Sequence, residues 1–268
     1  MKGIAFAPGH ISAFFEPVYS KQHMDRTGSC GAGINISLGA ISQVSVQPAF
    51  PQRIVVHING KSSSAVVTKS AVHHLIGNTS LAIRVNTILD LPISQGFGMS
   101  AAGALSATLA LSDLLSLPRE NAIRAAHYAE VESFTGLGDV IASSFGGIEI
   151  RKKAGLPPWG LLEHIPGCYD IVLCVISKKI QTQKILTDAA MLRKIASHGR
   201  LCMKQLLENP SVEHLVSLGW EFTRKIDIAD ATVLQALEAA NAHGIASMCM
   251  LGNSVYAIGD VPRLCKIL

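Results

Sequence analysis

The chain has 268 residues, 49% of them hydrophobic, 16% charged and 5% aromatic, with a formal net charge of +4. That composition buries a core in one large domain or two modest ones and excludes a disordered chain. With no apolar run near the roughly 20 residues that span a bilayer, no secretion signal in the first nine residues, and no basic run beyond Arg151-Lys152-Lys153, the expectation is a soluble cytoplasmic protein with a small anionic ligand and neither a nucleic-acid nor a membrane partner.

In chain order, residues 2–7 predict a first strand that stops at Pro8-Gly9. Residues 28–38 mix glycines with alternating small and apolar side chains. Residues 53–58 and 65–69 read as strands joined through the turn-forming Asn59-Gly60. Residues 81–91, rich in Val, Ile and Thr, give another strand. A helix is predicted over 100–116, where Leu105, Leu109 and Ser112 share a face until Pro118 stops it, and a second over 121–133. Gly136 and Gly138 interrupt, 139–145 resumes a helical turn, and 148–151 is a short strand. The stretch 154–160, with two prolines and two glycines, is the best linker. Beyond it follow a strand at 169–176, helices at 187–207, 212–225 and 229–242, and strands at 246–250 and 255–259. Clustered strands without strict βα alternation argue an α+β fold of two lobes, 1–156 and 157–268. The six cysteines form no Cys-x-x-Cys pair and read as buried free thiols.

Chemistry concentrates in residues 92–103. Gly96 and Gly98 end an apolar strand and Ser100 opens a helix, so backbone N–H groups and the positive helix end converge where a phosphate fits. The stretch is neither a Walker A loop, lacking Gly-Lys-Ser/Thr, nor the dinucleotide G-x-G-x-x-G. On its own it reads equally as a tight strand-to-helix turn. His10 after Pro8-Gly9 is by itself a turn residue. Asp139 at the start of a helical segment is a proton acceptor or an N-cap. Met250-Leu251-Gly252-Asn253-Ser254 is, alone, a hairpin turn.

In this order the four features resemble the GHMP kinase superfamily of small-molecule kinases. Pro8-Gly9-His10 is similar to its first motif. Residues 92–101 match its phosphate loop, P-x-x-x-G-L-G-S-S-A, with Phe97 for the leucine and Met99 for the first serine. Leu251-Gly252-Asn253-Ser254 resembles a reduced third motif. A narrower resemblance, to the archaeal pantoate kinase branch, rests on the stretches 8–15, 27–33, 135–140 and 147–151 and on Gly155-Leu156-Pro157-Pro158. His10, where most of the superfamily has lysine, also looks like that branch.

The resemblance implies an N-terminal lobe with a left-handed βαβ unit, a ferredoxin-like C-terminal lobe and an active site between them. It implies ATP-dependent phosphorylation of pantoate to 4-phosphopantoate on the archaeal route to coenzyme A. The phosphates of ATP would rest on Pro92, Gly96, Phe97, Gly98, Met99, Ser100, Ala101 and Ala102, and Ser100 would help hold Mg²⁺ with Glu132 or Glu130. Two residues apart on a helix, those glutamates diverge by about 200°, so only one faces the site; a similar E-x-E in mevalonate kinase leans toward Glu132. Asp139 is the implied base, with His10 as its catalytic companion. For pantoate, Arg151 and then Arg26 are the cations for the carboxylate, Ser12, Ser29 and His10 the groups for hydroxyls, and Phe14 the apolar wall, with Gly28, Gly31 and Gly33 allowing close approach. Adenine recognition falls to the segment 55–72. Family analogy and the apolar composition are compatible with a homodimer. Two alternatives stay open: another kinase of the superfamily, acting on homoserine or mevalonate, and a catalytically inactive nucleotide-binding sensor.

Overall fold

The computed structural model describes residues 2–180 and 182–268. Its first part is a seven-stranded sheet built from β1 (Lys2–Val18), β2 (Gly28–Pro48), β3 (Arg53–Ile58), β4 (Lys61–Ser63), β5 (Leu81–Leu89), β6 (Ile148–Lys153) and β7 (Leu161–Ile165). The order is β4-β3-β5-β2-β6-β7, with β1 on the other side of β2. Only β3 and β5 run parallel, joined through α1 (Val66–Ile76). Helices α2 (Met99–Leu114) and α3 (Arg119–Glu132) pack with α1, and α2 lies across β1 and β2. The helix α4 (Asp139–Phe145) leads into β6. After β7 come β8 (Val172–Val175), α5 (Thr182–Thr187), α6 (Ala189–Glu208), α7 (Val212–Ile226), α8 (Ala231–Asn241), β9 (Gly244–Met248), β10 (Ser254–Gly259) and α9 (Val261–Ile267). Strands β8, β10 and β9, in that order, make an antiparallel sheet.

Several elements depart from expectation. Pro8-Gly9 does not end β1; the strand absorbs the pair with a register shift there and another between Ser12 and Phe14. A bulge accommodates proline and re-aims the side chains beyond it. Residues 66–76 form α1, not a strand. Val67, Thr68, Ala71 and Val72 are buried at helical spacing against α2 and α3, and that packing overrides the β-branched run. The partner of Asn59-Gly60 is instead β4, which completes the hairpin. The strand β7 and the helix α9 had no sequence forecast. The expected division at 157 falls inside the chain that builds the first sheet, because Leu161–Ile165 still pairs with β6. All six cysteines are free, but only Cys202 and Cys249 are buried; Cys30 and Cys174 are half-buried and Cys168 and Cys265 exposed.

One apolar core runs through both parts. Phe14 and Phe15 of β1 meet Phe222 of α7 with ring centroids 6.4 and 6.2 Å apart. The bulged first strand therefore anchors the second lobe and carries His10 and Ser12 along the seam. Among the described residues no helix is long and apolar enough to cross a membrane.

Candidate active site

Helix starts differ across the molecule: α1, α3 and α4 have no side-chain cap, and α2, which also has none, is the uncapped helix whose start follows the glycine loop. α6, α7, α8 and α9 each begin on a side-chain cap, from Asp188, Ser211, Asp230 and Asp260. α2 begins on Gly98, in the left-handed region at φ 64°, with no side-chain cap. Its first N–H groups are left for a ligand. The Ala102 N–H is the first one spent inside the helix, on the Gly98 carbonyl at 2.9 Å. Ala102 therefore cannot cradle a phosphate, whereas Met99, Ser100 and Ala101 can. Pro92 is exposed and stands outside the cleft.

The loop faces a cleft of about 710 Å³. Gly96 to Ala101 form one wall, Thr135 to Asp139 with Glu130 a second, and Ser12, Phe15 and Ser29 the floor. Met250 and Leu251 close one side, and Lys179 and Lys184 reach in from the segment around α5. Two lining residues, Ser94 at φ 65° and Leu251 at φ 63°, hold left-handed backbone without being glycine. Such strain persists only where the surroundings enforce it. The third glycine motif interlocks with the phosphate loop: a Cβ on Gly252 would collide with the Gln95–Gly96 backbone, and one on Gly96 with the Cys249 carbonyl. The first motif joins through His10 N–H donating to the Phe97 carbonyl at 3.1 Å.

The loop of Thr135 to Gly138 brings two carboxylates to one corner. A Cβ on Gly136 would strike Glu130 Oε1 and sit 3.1 Å from Asp139 Oδ2. Glu130 is buried, and among the described residues its carboxylate accepts only the Val140 N–H, at 3.4 Å. Burial and the neighbouring charge of Asp139 hold its carboxyl well above the usual carboxylate range. Glu132 points elsewhere, to a surface pair with His74 at 2.7 Å. The structure thus brings Glu130 and not Glu132 to the cleft, against the lean taken from the E-x-E comparison. The reason is the roll of α3: Ala122, Ala126 and Ala129 face the core, and Glu130 continues that stripe.

Asp139 faces the cleft with its side chain 26% exposed, and His10 lies fully buried behind it. His10 Nδ1 bonds Asp139 Oδ1 at 2.7 Å and Nε2 bonds Glu149 Oε1 at 3.1 Å. Burial opposes the imidazolium, but the charges of Glu149 and Asp139 and the hydrogen bonds to both outweigh it and push the pKa up to about 9. His10 orients Asp139 and has no surface for a substrate. Arg151, also buried, gives Nη1 to Glu149, brings Nη2 to 3.4 Å from Ser12 Oγ, and leaves Nε unpartnered. It stands just behind the floor, where a Cβ on Gly138 would meet Ser29 Oγ and Arg151 Nε.

Four other acceptor residues are not where the sequence reading put them. Phe14 is in the core, and after the bulge it is Phe15 that lines the cleft. Arg26 is a surface residue over the Trp159 ring, 4.0 Å from its centroid. Gly31 and Gly33 make room for Arg151 and for the His10 ring rather than for substrate. Sequence reasoning missed Glu149, Lys179 and Lys184. For Glu149 a signal existed: in Ile148-Glu149-Ile150-Arg151 the two charges share one face of a strand, and a charge buried in such a strand needs a partner.

The fold and the interlocked glycine loops are those of a GHMP-type kinase. Residues 61–147 match the family model "GHMP kinases N terminal domain". Pantoate kinase of Methanocaldococcus jannaschii is 34% identical over 97% of this chain and 93% of its own length. Pantoate kinase of Thermococcus kodakarensis is 33% identical over 95% of this chain and 86% of its own. A solved structure described as a phosphotransferase related to the CoA biosynthesis pathway superposes with a TM-score of 0.89 at 30% identity, covering 100% of this chain and 90% of that one. The chain belongs to the pantoate kinase family of the GHMP kinases.

Proposed function

We propose that the protein transfers the terminal phosphoryl group of ATP to the hydroxyl of pantoate, giving 4-phosphopantoate for coenzyme A synthesis in the cytoplasm. One observation carries this reading beyond family membership. A single cleft of about 710 Å³ is lined by the uncapped start of α2, by the carboxylates Glu130 and Asp139, and by the hydroxyls of Ser12 and Ser29.

Phosphoryl transfer demands positioning and charge neutralisation more than covalent chemistry. The N–H groups of Met99, Ser100 and Ala101 bind the phosphates, and Lys179 and Lys184 balance their charge. A smaller cavity of about 200 Å³, lined by Ile58 and residues 63–68, adjoins the cleft through Ile93, Met99 and Ser100 and suits adenine. Part of its lining comes from the segment expected for that role, and the rest from β5, Ile93 and the start of α2. The donor set also fits Mg²⁺. Ser100 and Glu130 line the same cleft, and Glu130 is a buried carboxylate with no cationic partner among the described salt bridges. Mg²⁺ takes one or two protein oxygens and completes its shell with water and phosphates. When bound, it neutralises phosphate charge. On the acceptor side Asp139 takes the hydroxyl proton, Ser12 and Ser29 orient the molecule, and Arg151, buried behind the floor, attracts its carboxylate by charge.

A coupled ADP-release assay with pantoate, homoserine and mevalonate as separate acceptors tests the reading. ADP release that depends on pantoate alone supports it. Turnover on another acceptor, or ATP binding without turnover on any, refutes it.

A further inference from the structure

The deepest charged cluster in the molecule centres on a residue to which the scheme above gives no task. Glu149 is fully buried on β6, and a single oxygen, Oε1, serves two partners, His10 Nε2 and Arg151 Nη1. Its other oxygen has no partner. We propose that Glu149 is a positioning residue for phosphoryl transfer, holding His10 against Asp139 and Arg151 behind the acceptor floor.

The donor count carries the argument. His10 Nδ1 faces Asp139 Oδ1 and Nε2 faces Glu149 Oε1, so the imidazolium form donates from both ring nitrogens. Arg151 Nη1 lies 3.3 Å from the same Nε2. Two donors at that distance do not bond each other, and two cations repel. The Glu149 oxygen common to both makes the arrangement tenable. It also sets the free edge of the guanidinium: with Nη1 taken, Nε and Nη2 remain toward Ser29 and Ser12. One carboxylate thereby fixes the rear of the base and the orientation of the cation for the acceptor. The charged groups facing His10 are Asp139 from α4, Glu149 and Arg151 from β6, and Glu130 from α3. From β2 the neighbour is Gly33, which carries no charge. Losing Glu149 removes an anion from this set, so the imidazolium gives up its proton at lower pH.

This inference rests on the pantoate reading, and the test separates the two. Wild-type turnover with pantoate is measured first; an idle wild type sinks that reading and leaves the role of Glu149 to be measured on whichever acceptor turns over. In Glu149→Gln, kcat should fall about tenfold or more, since small misplacements at a reacting centre cost up to about 10²-fold. KM for the acceptor should rise, KM for ATP should stay within about twofold, and the alkaline limb of the kcat profile should move to lower pH. A folded Glu149→Gln with wild-type kcat, acceptor KM and alkaline limb overturns the proposal. So does a uniform loss of active protein with the profile unmoved, which is the mark of a merely structural residue. If Glu149→Gln does not fold, Glu149→Asp decides. The charge is then kept but withdrawn by one methylene, so the alkaline limb should hold while kcat falls and acceptor KM rises; wild-type constants in that variant overturn the proposal.

Discussion

Glu130 and Glu132 lie two residues apart on one helix and have opposite surroundings, which gives a sharp test by Glu130→Gln and Glu132→Gln. Glu130 is buried beside Asp139 and its carboxyl is held well above the usual range, so the fold disfavours its charged form without a cation. Glutamine removes the disfavoured charge and keeps an acceptor for the Val140 N–H. Because the folded carboxyl has the higher pKa, its contribution to stability falls as pH rises above the ordinary carboxylate range. Metal-free Glu130→Gln should therefore melt no lower than wild type at pH 8. Catalysis should respond the other way. A bound cation supplies several kcal/mol of charge stabilisation, and losing about 3 kcal/mol of it lowers kcat roughly 10²-fold. Mg²⁺-ATP at 100 times its Kd raises wild-type stability by about 2.7 kcal/mol, and most of that increment should vanish in the variant. Glu132, 41% exposed and paired with His74, should change stability by less than about 0.5 kcal/mol and leave kcat alone when replaced. Coupled kinetics and melting curves with and without Mg²⁺-ATP read all four quantities. Loss of turnover in Glu132→Gln with Glu130→Gln intact would refute the reasoning.

Asp139→Asn should lower kcat by about 10²-fold or more if the carboxylate accepts the hydroxyl proton; a loss under tenfold leaves Asp139 an orienting group. His10 gives a pH signature. Its pKa is about 9 in the fold against 6.5 ordinarily, so its stabilising contribution is full below about 6.5 and lost as pH rises through about 9. The difference is on the order of 3 kcal/mol. Urea titrations of wild type and His10→Gln should converge between pH 6.5 and 9.5, and parallel curves would contradict the assignment. Gly252→Ala sets a Cβ against the Gln95–Gly96 backbone, and should cost about 2 kcal/mol of stability and raise KM for ATP. Unchanged values in both assays would remove Gly252 from the phosphate wall.

How legible the site was depended on whether the signal was local. The glycine turn into α2 and the helices α3, α6 and α7 follow from glycine placement and apolar spacing, and they stand near their expected bounds. β1 did not stop at Pro8-Gly9 because a bulge against β2, a partner about 30 residues away, absorbs the pair. α1 was misjudged because Val66-Val67-Thr68 favours a strand until α2 and α3 offer it a surface. The choice between the glutamates was within reach: the stripe of Ala122, Ala126 and Ala129 points Glu130 inward. The analogy with a different kinase overrode that stripe. Lys179 and Lys184 carry no periodic signal, since only the fold of the second lobe brings their segment over the cleft.

The weakness of each motif read alone has a structural cause. Gly252 is glycine because the Gln95–Gly96 backbone passes over it, and Gly96 because the Cys249 carbonyl does. His10 spends its N–H on the Phe97 carbonyl, and the Met250 N–H goes to the Ser12 carbonyl at 3.3 Å. Every one of these requirements is set by a residue in another motif, so a short window of sequence contains half of each constraint. The order of the motifs was informative for that reason. Together they make one interlocked wall, and in the proposed scheme the acceptor side is built on the strands that run out of it, β1 through Ser12 and β6 through Glu149 and Arg151 behind the floor. If that scheme holds, nucleotide binding and acceptor choice share the strand β1, and a change on its bulge between Ser12 and Phe14 should disturb both constants together rather than one.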